Sequence, residues 1–239
     1  MSNRIAPINQ LLQVCVALFL FWVMAPYGFG AESGTTAQVT KEMFEQWRVK
    51  AEQGDAEARF QLGHCYFNGK GVPQDYVQAA IWYRIAAEQG HAGAQRGLGV
   101  FYSYVVKSAT EAEIWYRKAA EQGDATTQWF LGACYSKGEG VPQDAVQSVF
   151  WYRKAAEQGH ATAQSILGCC YDSGEGVPQD FVLAYMWLNL SAASIDANTA
   201  KSTRYIRDKI AKKLTPEQLA EAQKLSREWK PKKETDKKP

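Results

Sequence analysis

The sequence predicts an all-α fold, an α/α superhelical solenoid of helix-hairpin repeats, on the strength of two markers that keep one period. The phrase WYRIAAEQG at Trp82–Gly90 returns as WYRKAAEQG at Trp115–Gly123 and Trp151–Gly159, with a shortened echo, WRVKAEQG, at Trp47–Gly54. Its closing glycines are 36, 33 and 36 residues apart. The second phrase, GVPQD, stands at Gly71–Asp75, Gly140–Asp144 and Gly176–Asp180, its prolines 69 and 36 residues apart, the same period with one copy missing. A repeat of this length marks a solenoid, in which each unit buries its apolar face only by stacking on its neighbours.

Residues 1–31 read as a secretory signal peptide. Arg4 gives a thin positive n-region, Leu11–Ala25 is apolar apart from Gln13, and Gly28, Gly30 and Ala31 supply small residues for cleavage. An uncleaved inner-membrane anchor over residues 11–25 is the rival reading, although a spanning helix needs about 20 apolar residues. Gln13 and Val14 occupy the positions where a lipobox around Cys15 would need small residues. Export to the periplasm or the secreted space follows. Residues 32–41 read as a linker and 42–54 as an N-terminal capping half-repeat, a lone second helix.

The unit at 55–90 sets the type. Ala58, Leu62 and Tyr66 recur every four residues and form one stripe of a first helix, A. Gly69 and Gly71 close it, Pro73 prevents its continuation, and Asp75 caps a second helix, B. Gln78 stands three residues after Asp75, and Gln147 three after Asp144, so both pairs are expected to form capping boxes. Helix B carries Ala79, Trp82, Tyr83, Ala86 and Ala87 on one stripe and ends at Gly90. Gly63, Gly99, Gly132 and Gly168 each follow a leucine inside helix A. A helix-interior glycine costs about 1 kcal/mol against alanine, so close backbone packing is expected there, with Trp82, Trp115, Trp151 and Trp187 as neighbours.

The unit at 91–123 is shortened: SYVVKSATEAE replaces the Gly-Gly-Pro-Asp loop and predicts a tighter connection. Full units follow at 124–159 and 160–195. Residues 196–229 read as C-terminal capping helices, the last capped by Thr215 with Gln218 in the box position. Residues 230–239 form a basic tail expected to be disordered, with five lysines against Glu234 and Asp236. The chain carries +2 overall and the tail +3, so the body is close to −1. No basic stripe interleaved with aromatics supports nucleic-acid binding.

In an oxidising compartment Cys65, Cys134, Cys169 and Cys170 require a reading. Cys65, Cys134 and Cys170 each precede the unit tyrosine, so they are equivalent positions on stacked helices about 8–10 Å apart. A disulfide needs Cα atoms within about 7 Å. Small buried thiols are the favoured reading, and a bridge is the alternative.

The strings A-x-A-Q-x-x-L-G-x-x-Y, G-x-G-V-P-Q-D and W-Y-R-K-A-A-E-Q-G, fullest at Trp151–Gly176, resemble the Sel-one-like repeat family, relatives of the tetratricopeptide repeats. The resemblance covers about residues 42–196, and LTPEQLAEAQKLSREW resembles the closing helices of bacterial members. It implies a non-catalytic adaptor or scaffold of the bacterial envelope or secreted space that binds a protein or peptide. A wall- or glycan-associated module is the alternative. A third, a β-lactam-binding hydrolase, comes from a cysteine-rich branch that bridges the two helices of each unit; this chain lacks the second cysteine on helix B.

No H-E-x-x-H, G-x-S-x-G, S-x-x-K or P-loop occurs, no Cys/His set has zinc spacing, and no catalytic, cofactor or metal residue is assigned. His91 and His160 open helix A and read as caps. If helix A lines the concave face, partner contacts fall where its residues vary around the fixed stripe. The expected partner-binding residues are Phe60, His64, Phe67, Arg96 and Trp129. Aromatics at partly exposed positions favour recognition, and filling of inter-repeat gaps is the competing reading. On the binding reading, Trp129→Ala weakens partner capture and leaves the thermal melt nearly unchanged.

Overall fold

The computed structural model describes residues 41–194 and 197–232, with the side chains of 197–199 left aside. The signal-peptide reading, the linker reading up to residue 40, and all but the first three residues of the basic tail lie outside the described residues; Lys41, read as the end of the linker, begins the first helix. Those residues form eleven α-helices and one π-helical turn. α1 (Lys41–Glu52) precedes four hairpins: α2 (Ala56–Asn68) with α3 (Tyr76–Glu88), α4 (Ala92–Val100) with α5 (Ala109–Glu121), α6 (Ala125–Lys137) with α7 (Ala145–Glu157), and α8 (Ala161–Ser173) with α9 (Phe181–Ser194). α10 (Ala197–Ala211) and α11 (Pro216–Glu228) close the chain. Each helix A packs on its own helix B and on the helix B before it; α10 and α11 both pack on α9. This is an all-α solenoid. No described helix is long and apolar enough to cross a membrane.

The repeated phrases prove to be sets of hydrogen-bonding groups. In GVPQD the glutamine closes helix A: Gln74 Nε2 donates to the Phe67 carbonyl at 2.8 Å, Gln143 to Ser136 at 2.8 Å and Gln179 to Asp172 at 2.6 Å. The aspartate opens helix B, Asp75 accepting from the Val77 and Gln78 amides at 2.9 Å. The expected reciprocal box at Asp75 and Asp144 is not what forms. The Asp75 and Asp144 amides donate instead to the Tyr66 and Tyr135 carbonyls at 2.9 and 3.0 Å, so the donor the box needs is already used by helix A. Thr215 and Gln218 do make the reciprocal box.

In A-x-A-Q, the glutamine ties helix A to the preceding helix B. Gln95, Gln128 and Gln164 donate to the carbonyls of Ala87, Ala120 and Ala156 at 3.2, 3.0 and 3.2 Å. Arg59 takes that role in the first unit, donating to Ala51 at 3.0 Å. In EQG, the glutamine then completes the first: Gln122 donates to Gln95 Oε1 at 2.7 Å and Gln158 to Gln128 Oε1 at 2.8 Å. Ser194 stands where the last unit would need that glutamine, and buried Gln164 Oε1 has no hydrogen-bond partner among the described residues. Restoring the acceptor's partner with Ser194→Gln is expected to add about 1 kcal/mol, read as a rise of roughly 3 °C in melting temperature.

The arginine of WYR bonds the tyrosine 18 residues on: Arg84 to Tyr102 Oη at 2.5 Å, Arg117 to Tyr135 at 2.7 Å and Arg153 to Tyr171 at 2.8 Å. At the fourth unit the pair is inverted, with Asn189 accepting from Arg207 at 3.0 Å across the same offset. The mid-helix glycines correct one expectation. Their close neighbour is the tyrosine after each tryptophan: a methyl at Gly63 would lie 2.5 Å from the Tyr83 ring and one at Gly132 2.7 Å from Tyr152. Gly99 meets Tyr116 in the same way, and Gly168 meets Leu188, the residue at the tyrosine's place, at 2.7 Å.

The shortened unit winds its missing loop into the helix. α4 continues as a π-helical turn over Phe101–Val106, Lys107 takes the left-handed conformation at φ 63°, and Ser108 caps α5. Lys107 does the work that a glycine does in the other units.

Candidate functional site

Helix A is the element whose surface differs from unit to unit, so the candidate site is built along it. Its N-caps are Asp55, His91, Asp124 and His160, each accepting from the amide three residues on, and Phe60, Arg96, Trp129 and Ser165 each stand five residues after a cap. The structure brings every member of that second series onto a residue of the following unit or cap. Phe60 stacks on His91 with ring centroids 4.8 Å apart, Arg96 pairs with Asp124 at 2.6 Å, Trp129 stacks on His160 at 5.5 Å, and Ser165 lies 3.4 Å from Thr203 of α10. Glu57 adds a bond to His91 Nε2 at 2.8 Å.

The exposure expected at two of the five partner-binding residues is therefore corrected. Trp129 and Phe67 are only 8% and 5% exposed and lie in the main core cluster, Trp129 against Phe130 and His160, Phe67 edge-on to Tyr76 at 5.2 Å. Phe60, His64 and Arg96 are half-buried, so their outer edges alone face solvent. The physical reason is the superhelix itself: the cap of one helix A folds over the side chain one turn into the helix before it. Complementarity between each cap and the residue at that offset, His with aromatic and Asp with Arg, was the available signal.

Farther along the helix-A face, units three and four and α10 enclose a cleft of about 540 Å³. Ser136, Ser165, Cys169 and Asp172 line it from helices A, Ser148 and Tyr152 from α7, and Ile206 from α10. The first four belong to the varying positions of helix A, yet sequence reasoning favoured bulky residues and passed over these small ones. The cleft offers hydroxyls, thiols and an apolar wall, with Glu175 at its rim and Asp172 paired to Lys213 at 2.6 Å. Its thiols stay protonated at neutral pH: burial pushes Cys170 up to about 11 and raises Cys169. Burial also takes Cys134 to about 12 and Cys65 to about 11, and all four cysteines are unbridged. Such thiols are poor nucleophiles. Among the described residues no three His, Cys, Asp or Glu side chains converge as a metal site would require.

The joint at His160 responds to protonation. Burial holds its imidazole below the ordinary value, against its own backbone hydrogen bond and the Asp124 charge, which favour the proton. Its Nδ1 accepts from the Ala163 amide at 3.2 Å, a bond that protonation of that nitrogen removes. Because the folded state binds this proton less readily than the unfolded chain, the contribution is complete above about pH 6.5 and lost as pH falls through the lower folded value. The melting temperature is expected to fall between pH 7 and 5, and to fall less in His160→Asn, which keeps a cap without the titration.

Comparison with known proteins places this geometry. Sel1 repeats are recognised at residues 56–91, 92–124, 125–160 and 161–196. A protective antigen of uropathogenic Escherichia coli strains displaying an SLR fold superposes with TM-score 0.71 and 34% identity, over 90% of this chain and 45% of that one. A Sel1 repeat protein from Oxalobacter formigenes gives TM-score 0.67 and 30% identity over 78% of each chain. The secretory immunoglobulin A-binding protein EsiB of Escherichia coli is 45% identical over 42 residues, 18% of this chain and 9% of that protein. The chain spans between 6% and 14% of the length of the curated relatives it matches.

Proposed function

The chain belongs to the Sel1 repeat family, and from that premise we propose that it is a non-catalytic scaffold that binds a protein or peptide along the helix-A face. The observation that carries this reading is the cleft bounded by α6, α7, α8 and α10, which opens at positions where the units differ from one another. Residues fixed from unit to unit are accounted for by bonds within the solenoid, whereas Ser136, Ser165, Cys169 and Asp172 stand at positions that vary between units and line the cleft, which makes them the choice for selecting a ligand. The half-buried edges of Phe60, His64 and Arg96 extend the surface, while Trp129 and Phe67 support it from below. A family relative named for binding secretory immunoglobulin A, and others named as components of a ubiquitin ligase, are in keeping with a protein partner.

We place the protein in the envelope or secreted space on the charge and apolar pattern of residues 1–31. Fusing that segment to a phosphatase active only outside the cytoplasm checks the location. For binding, a photo-crosslinking residue at Ser136 or Asp172 in native cells is expected to capture one protein. A Ser165→Trp substitution, which fills the cleft, is expected to abolish that adduct. An adduct unchanged by the filled cleft defeats the helix-A reading.

A further inference from the structure

Helix B leaves large apolar side chains in solvent at one repeated position. Ile81, Ile114 and Phe150, each directly before a unit tryptophan, are 45%, 42% and 47% exposed. The fourth equivalent, Met186, is 6% exposed. What the fourth unit has and the others lack is α11. It packs on α9, sets Trp229 edge-on to Trp187 at 6.1 Å, and brings Leu219 and Leu225 to the apolar cluster that contains Met186. Among the described residues the chain thus covers this face once with its own amphipathic helix and leaves three copies of it open.

Two of the three open copies, those on α5 and α7, also carry a lysine beside the exposed residue, where the first has Ile85. Lys118 lies over the Trp115 ring at 4.3 Å, and Lys154 over Phe150 and Trp151 at 4.7 and 5.0 Å. Among the described residues neither lysine is in an ion pair. α5 and α7 are linked at their C-terminal ends, where Gln158 donates to the Gly123 carbonyl at 2.9 Å. We propose that the face of α5 and α7 centred on Ile114 and Phe150 docks an acidic amphipathic helix of another protein, as α11 covers α9. The apolar stripe fits the leucines of such a helix, and Lys118 and Lys154 meet carboxylates on its flanks. This surface lies on helices B and stands independently of the helix-A reading.

The probe is a synthetic peptide of residues 215–229 with Lys224→Glu and Arg227→Glu, titrated into the full chain. Saturable binding is expected, weakened about tenfold by Ile114→Asp with Phe150→Asp, a loss equal to about 1.4 kcal/mol. Lys118→Glu with Lys154→Glu should weaken it similarly and flatten its salt dependence. All four positions are at or near the surface, and a milder Ile114→Ala, Phe150→Ala pair serves if the aspartates unfold the chain. Binding no tighter than that of a scrambled peptide overturns the proposal. So does binding that survives the Ile114 and Phe150 substitutions, which means the peptide displaces α11 instead. Concentration-dependent self-association that these substitutions abolish would assign the face to a second copy of the chain.

Discussion

Trp129→Ala is expected to lower the melting temperature by about 10 °C, because truncating a core tryptophan costs about 3–5 kcal/mol and each kcal/mol moves a chain of this size by about 2–4 °C. The indole is 8% exposed, tilted against Phe130 at 4.8 Å and stacked on His160 at 5.5 Å. Removing it opens a cavity between α6 and the start of α8, so the stacking of unit three on unit four weakens along with the core. Trp129→Phe keeps a ring against His160 and should recover much of the loss. Calorimetry or circular dichroism of the three chains decides the matter. A melt within 2 °C of wild type for Trp129→Ala would return the residue to the solvent-facing role expected from its place in the repeat.

That reversal shows what a repeat sequence makes legible. The period and the turn signals located the helices, because helical stripes and caps act within a few residues. His91 and His160 were readable as caps for the same reason, and both accept the amide three residues on. Which neighbour a side chain meets across the stack depends on the superhelical rotation, and local periodicity does not contain that. Trp115 and Tyr116 illustrate the difficulty: adjacent in sequence, they point about 100° apart around the helix, and both are buried. The apolar stripe therefore could not say which ring meets Gly99. The cleft was hidden for another reason. It is made by small residues on helices distant in sequence together with Ile206 of α10, and only the stacking brings them to one place. The cap of α11 was readable in Thr215 and Gln218, whereas its seat on α9 was not.

Gly176→Ala is expected to be the most damaging of the conservative loop substitutions, and Gly174→Ala, two residues away, is its internal control. Both glycines are left-handed, at φ 71° and 77°. An alanine at either position therefore takes on about 1–2 kcal/mol of backbone strain, eased by a few tenths through the stiffer unfolded chain. At Gly174 the new methyl would find its nearest neighbour, Gln179 Cβ, at an ordinary 3.5 Å. At Gly176 it would run into the carbonyl of Ala145, with the carbonyl carbon at 2.7 Å and Val149 Cγ2 at 3.0 Å. That carbonyl belongs to the first turn of α7 and is held by the helix, so the loop must move away from the unit before it. Overpacking of this kind adds about 1–3 kcal/mol, for a melting shift of roughly 10 °C against about 4 °C at Gly174. Gly140 meets the Ala109 carbonyl in the same way one unit earlier, so Gly140→Ala should repeat the result. Equal effects at Gly174 and Gly176 would mean that conformation alone fixes the loop glycines. A larger effect at Gly176 identifies the glycine that opens GVPQD as the point where the loops of the third and fourth units clamp onto the unit before them. The second unit, which has no such loop, then joins α3 without that clamp and relies on its helix-to-helix contacts.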